Sequence, residues 1–474
     1  MREAKSLAAR ASVLLVWLIC GTASAADRPA QLADAVERRD VALAQKLLGQ
    51  RVDVNERQGD GASALHWAVH WDDAPMVERL IGAGADVNSA NVHGVTPVWL
   101  ACLNANAQIV ERLLAAGANA NATLRAGETV LMRAARTGNP RVAKALLARG
   151  ANVNARENVQ GQTALMWAAA QGHGEVTRVL LENGADPRAR STSGFTPLLF
   201  AARSGDIVSA RILLDGGVDV NEGAPDGASP LLVAVASAQE DVARLLLERG
   251  ADPNRADSLG YTPLHATAWK PSAKEGLFRV HASVGLVDAL LSRGADPNAR
   301  MTKDPPAVPG SYFFQQGLVG ATPYWLASKS AYVDVMQTLA KGGANIALAN
   351  KDGNTPVMVA AGLGQGSGPG SVPEKALIEA VRTAIDLGGD VNSVNASGQT
   401  AVHGAAGAAF DAIIRLLAER GAKLNVKDKR GQTPLTVARG RNASDTVSLL
   451  KSLGAEESSA AGPSGSTTSP NVQR

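Results

Sequence analysis

The sequence predicts an all-α solenoid of stacked helix-turn-helix units joined by hairpin-like connecting loops. Three observations carry that expectation. A glycine recurs just before a Thr-Pro-like dipeptide at Gly61, Gly94, Gly127, Gly161, Gly194, Gly227, Gly260, Gly320, Gly353, Gly398 and Gly431, and eight of the ten steps are 33 or 34 residues. A fixed period of that size marks a repeat architecture. Helix start and stop text follows each glycine at constant distance. Apolar residues between those marks recur with helical spacing, as at Val176, Val179, Leu180 and Leu181.

Each residue type has a physical task within the unit. The marker glycine tolerates positive φ in a tight connection. Two residues later a Thr or Ser, such as Thr196, Ser229 or Thr355, can cap the first helix. Proline follows at Pro197, Pro230 and Pro356, where its missing N–H costs nothing. Alanine pairs such as Ala134-Ala135, Ala168-Ala169 and Ala201-Ala202 keep that helix thin. Gly138, Gly172 and Gly205 end it. The second helix carries Val77, Leu80 and Ile81, or their equivalents, and closes at a glycine such as Gly84, Gly117, Gly150, Gly184 or Gly250. Text of the Ala-Asp-Val-Asn type then turns the chain toward the next unit. One helix pair cannot hide its apolar face alone, so neighbouring units must stack.

The best matches are Tyr261-Thr262-Pro263-Leu264-His265-Ala266, Gln432-Thr433-Pro434-Leu435 and Leu245-Leu246-Leu247-Glu248-Arg249-Gly250-Ala251-Asp252-Pro253-Asn254. At a period of 33 this text resembles the ankyrin repeat family. Ala64-Leu65-His66-Trp67-Ala68-Val69-His70-Trp71 further resembles exported bacterial multi-ankyrin proteins. The resemblance implies protein binding through the concave first-helix face and the hairpin tips, and no known reaction. It also implies structural hydrogen bonds between units from His66, His265 and His403.

Residues 1–25 read as a secretory signal. Arg2, Lys5 and Arg10 precede the apolar run Val13 to Ile19, and Ala23-Ser24-Ala25 is an Ala-x-Ala cleavage site. The mature chain is then expected in the periplasm or outside a bacterial cell. Cleavage removes three bases and Glu3, so the formal charge falls from +3 to +1. That balance offers no electrostatic footprint for nucleic acid. After cleavage Cys102 is the remaining cysteine and reads as a small buried core residue.

Residues 26–57 read as a degenerate N-terminal capping unit, with Leu32, Ala35, Val36, Leu47 and Leu48 in register and polar residues between them. Residues 58–456 hold eleven units, with inserts near 270–281, 301–317 and 362–373. Lys451 replaces a second-helix Leu or Ile, which suits a closing face. Residues 457–474 are Ser/Gly/Thr/Pro text with no apolar period and read as disordered.

No motif for catalysis stands out. His66 and His70 are four apart on one helix, but no acidic third ligand follows at a motif distance. The glycine run at Gly364 to Gly370 lacks the Lys-Ser/Thr of a phosphate loop. The expectation is a non-catalytic protein-binding scaffold or inhibitor, monomeric, with no cofactor, no metal and no membrane span in the mature chain. Trp99, Trp167, Phe200 and Trp325 are expected in the core. The residues expected to meet a partner are His70, Trp71, Arg136, Arg203, Tyr261, Trp269, Lys270, Tyr312, Phe313, Phe314 and Lys329. Exposed aromatics and arginines are common interface anchors. Two rival readings use the seventh unit. One is a hydrolase or metal site around His265, His281, Asp304 and Glu275, and the other is binding of cell-wall polymer through the aromatic loops.

Overall fold

The computed structural model describes residues 31–269, 283–305, 317–364 and 372–457. Twenty-four α-helices and two isolated β-bridges lie among the described residues. The described residues divide into two compact bodies, those of 31–201 with 208–216, and those of 202–207 with 217–457.

In the first body the helices come in pairs: α1 (Gln31–Glu37) and α2 (Val41–Gly49), α3 (Ala64–His70) and α4 (Ala74–Gly82), α5 (Pro97–Leu103) and α6 (Ala107–Ala115), α7 (Val130–Thr137) and α8 (Pro140–Leu147), α9 (Ala164–Gln171) and α10 (Gly174–Glu182). First helices form one row, α1 on α3 on α5 on α7 on α9. Second helices from α4 to α10 form a parallel row. Helix α11 (Pro197–Ser204) carries the dividing line between the bodies, and α12 (Ile207–Asp215) belongs largely to the first.

The second body repeats the pattern with α13 (Pro230–Ala236) and α14 (Glu240–Glu248), α15 (Pro263–Ala268) and α16 (Val284–Ser292), α17 (Pro323–Lys329) and α18 (Val333–Lys341), α19 (Pro356–Ala360) and α20 (Glu374–Asp386), α21 (Ala401–Ala408) and α22 (Asp411–Glu419), α23 (Pro434–Gly440) and α24 (Ser444–Ser452). Again first helices pack on first helices and second on second.

Helices of five to thirteen residues are marginal alone in water, so their stability comes from packing. The local text still sets their ends. Ser229 Oγ accepts from the Leu232 amide at 3.1 Å, with Pro230 at the first helical position. Ala134, Ala135, Leu80, Ile109, Leu113, Leu146 and Cys102 are fully buried between the rows. Burial pushes the Cys102 thiol far above its ordinary range, which makes it an inert core residue.

The turn between the two helices of a unit needs one left-handed residue. Gly138 and Gly172 supply it as expected, with φ of 85° and 78°. Where glycine is absent the chain adopts the same conformation at Asp72, Ala105, Ala238, Ala331, Ala409 and Asn442. The marker glycine has a second constraint besides φ. A Cβ on Gly398 would stand 2.9 Å from the Lys429 amide nitrogen, because that amide donates to Ser397 O at 2.9 Å.

Asparagine side chains lock successive units together. Asn121 Nδ2 donates to Gly150 O at 2.9 Å, and its Oδ1 accepts from the Asn152 amide at 2.7 Å. Asn55, Asn88, Asn154, Asn254, Asn298, Asn392 and Asn425 make the same pair of bonds into the following unit. Ala347 stands at this position between α18 and α20 and has no side chain to bridge the gap.

Two inserts leave the frame intact. Around the 301–317 insert the hairpin stays closed, with Met301 N donating to Ala321 O at 3.0 Å and Gly320 N to Met301 O at 2.7 Å. The 362–373 insert leads into a longer helix. Helix α20 has thirteen residues, and Glu374 in its extension accepts from the Ala412 amide at 2.9 Å, capping α22.

Candidate interaction surface

In the first body the row of first helices presents one continuous face. Its N-terminal end is a polar network. Trp67 Nε1 donates to Gln58 Oε1 at 2.6 Å, and the Gln58 amide donates to Asp34 and Glu37 carboxylates at 2.8 and 2.7 Å. Trp71, just beyond α3, is 41% exposed. Its Nε1 donates to Glu37 O at 3.1 Å, the Arg39 guanidinium lies 5.6 Å from its ring, and His70 meets it edge-on at 4.7 Å. Burial lowers the His70 imidazole below its ordinary value, against the pull of Asp72.

Further along, arginines of α7 stack on tryptophans of both neighbouring helices. Arg133 lies 4.6 Å from the Trp99 ring, and Arg136 lies 5.5 Å from the Trp167 ring. Trp99 and Trp167 are therefore not core residues as expected; each is half-buried beneath a guanidinium. Phe200 and Trp325 do belong to the core, at 4% and 2% exposure. Glu128 completes the first stack with an ion pair to Arg133 at 2.6 Å. Burial pushes the Glu128 carboxyl up, with Arg133 opposing. Neither Arg39 nor Arg136 forms an ion pair among the described residues.

Polar residues in the turns cap the carbonyl ends of the preceding first helix. Asn104 Nδ2 donates to Val69 O at 3.0 Å, and Thr137 Oγ1 to Cys102 O at 3.1 Å. His173 Nε2 meets Arg136 O at 3.1 Å. These bonds fix the backbone beneath the exposed side chains.

In the second body the expected residues separate. Arg203 is exposed. Lys329 is half-buried, with Nζ donating to Gly364 O at 3.0 Å and lying 5.8 Å from the Trp325 ring. Burial lowers its ammonium to about 8. Tyr261 corrects the expectation, since it is only 4% exposed and its hydroxyl donates to Trp269 O. It holds Trp269 edge-on at 6.0 Å, leaving Trp269 as the accessible member of the pair. Lys270, Tyr312, Phe313 and Phe314 lie outside the described residues, as do His281 and Glu275.

The signature histidines are fully engaged. His265 Nδ1 accepts from the Thr262 amide at 3.1 Å, so the proton sits on Nε2, which meets Ala321 O of the next unit at 3.2 Å. His66 and His403 repeat this with Val95 O and Gln432 O. Asp304 Oδ1 is likewise used, accepting from Leu318 N at 2.6 Å.

A family model described as ankyrin repeats in three copies matches residues 32–124, 105–191, 184–257 and 372–460, and one described as an ankyrin repeat matches residues 259–302. The chain belongs to the ankyrin repeat family. The crystal structure of the human ASB11 ankyrin repeat domain is similar to it at 28% identity, over 48% of this chain and 100% of that chain, with a TM-score of 0.42. Ankyrin repeats imply protein partners. No helix among the described residues is long and apolar enough to cross a membrane. Sequence reasoning placed Trp71 and Arg136 on the ankyrin first-helix face but missed Arg39, Arg133 and Glu128. A signal existed for Arg133, which occupies the helix position of Trp67 and Trp167.

Proposed function

We propose that this ankyrin protein is a non-catalytic scaffold or inhibitor acting in an exported compartment, the periplasm or the exterior of a bacterial cell. The observation that carries the reading is the first-helix face of residues 31–201. There Trp71 and the Arg136–Trp167 stack are exposed on backbone already fixed by hydrogen bonds. Pre-ordered side chains lose little entropy on binding, which favours recognition. The signal-like text of residues 1–25 supports the compartment.

The test is affinity capture from the exported fraction with the full chain and two variants. Arg136→Ala combined with Trp71→Phe is expected to weaken capture of the principal partner about tenfold, roughly 1.4 kcal/mol, with little change in melting temperature. Arg141→Ala, on the second-helix row, is the control. Equal capture by all three proteins would overturn the reading. N-terminal sequencing of the exported protein is expected to begin at Ala26, and a retained residue 1 would remove the compartment.

A further inference from the structure

Three Trp–Arg stacks lie on the first-helix face of residues 31–201, and they differ in one respect. Arg133 stacks on Trp99 at 4.6 Å and meets the Glu128 carboxylate at 2.6 Å. Arg39 lies 5.6 Å from the Trp71 ring and Arg136 5.5 Å from the Trp167 ring, and neither has a carboxylate at ion-pair distance among the described residues; Glu128 acts on Arg136 only through its longer-range charge. A guanidinium lying on an indole uses its face and leaves its in-plane N–H fork directed outward. That fork matches a carboxylate. The chain thus carries one completed example of the sandwich and two open ones on the same surface.

We infer that this face binds an acidic peptide segment, whose carboxylates complete the stacks at Arg39–Trp71 and Arg136–Trp167. The inference rests on the scaffold reading and adds the chemistry of the partner. Arg39 belongs to the first helix pair and Arg136 to the fourth. Three stacking steps of about 8–10 Å place them roughly 25–30 Å apart. An extended chain covers that distance in about eight or nine residues. The segment therefore needs acidic groups near both ends of such a stretch.

The probe is a Gly/Ser peptide of about twelve residues with a glutamate pair near each end, titrated into the full chain and followed by calorimetry. The controls are the same peptide with glutamines and a thymidine oligonucleotide of similar length. The glutamate peptide is expected to bind, more weakly as salt is raised, and the glutamine peptide not to bind. Arg39→Ala and Arg136→Ala should each weaken binding about tenfold. Arg136→Lys should weaken it nearly as much, because an ammonium has no planar fork. Arg141→Ala should leave it unchanged.

No binding of the glutamate peptide at millimolar concentration overturns the inference. So does an equal loss in Arg141→Ala, which would mean diffuse charge. Equal binding of the oligonucleotide through the same arginines also overturns it, since the surface would then select phosphate. If partner capture depends on Arg136 and Trp71 while the peptide fails to bind, the acidic chemistry falls and the scaffold stands.

Discussion

The indole N–H of Trp325 donates to the carbonyl of Asn354 at 2.8 Å, replacing the imidazole bridge that His66, His265 and His403 make to the following unit. Both side chains occupy the third position of a first helix. Trp99 occupies it too, yet its buried Nε1 has no hydrogen-bond partner among the described residues. Removing a buried hydrogen bond that leaves its acceptor bare costs about 1–3 kcal/mol. Trp325→Phe should lower unfolding free energy by about that amount, whereas Trp99→Phe should change it little. Urea melts of the two variants compare them, and a larger loss at Trp99 would contradict the assignment.

Acid should loosen the stack through its histidines. Burial is the first cause that lowers the His265 imidazole from its ordinary value to about 4, and His66 and His403 move the same way. A folded value below the unfolded one means stability is full above about pH 6.5 and is lost as pH falls toward 4. For His265 the loss is about 3 kcal/mol by pH 4. A second proton on Nδ1 would also face the Thr262 amide hydrogen. His265→Met uses a residue the chain places at the same position in Met132 and Met358. It should cost about 1 kcal/mol near neutrality and flatten the slope between pH 6.5 and 4. Melts across that range check it, and an unchanged slope would assign the acid response elsewhere.

The asparagine clamps should act one joint at a time. Asn121→Ala removes two hydrogen bonds at an exposed site and should cost about 1–2 kcal/mol. The reverse change is available at Ala347. Ala347→Asn should reach the Gly388 carbonyl and the Asp390 amide and add about 1 kcal/mol. Hydrogen exchange of the Asp390 amide reads the new bond directly, and unchanged exchange there would reject it.

Left-handed alanines are another reserve. Ala238 and Ala331 both hold φ of 57° in inter-helix turns where Gly138 and Gly172 serve elsewhere. An L side chain in that region is strained by about 1–2 kcal/mol, partly offset by the looser unfolded chain of a glycine variant. Ala238→Gly and Ala331→Gly should each raise stability by about 0.5–1 kcal/mol. Destabilisation by either would mean the methyl group contributes packing that outweighs its strain.

Much of the helix frame was legible because its signals are local. Cap, proline and terminal glycine act within one turn of chain, so Ser229-Pro230 announces its helix without knowledge of neighbours. Side-chain direction across units was not legible. Tyr261 and Trp269 look alike in sequence, yet one faces inward and the other remains accessible. The role of Arg39 depends on Trp71 of the next unit, about thirty positions away, and the stack that Glu128 completes depends on Trp99 of the preceding one. The same distance hid the asparagine clamps, whose text reads as ordinary turn.

Those clamps also bear on how the molecule comes into being. Asn121 finds its acceptor only 29 positions downstream, and most of its counterparts reach no further. A growing polypeptide can therefore secure each finished layer as soon as one more layer has been synthesised, without waiting for distant sequence. Such short-range closure keeps contact order low and favours vectorial folding from the N-terminus.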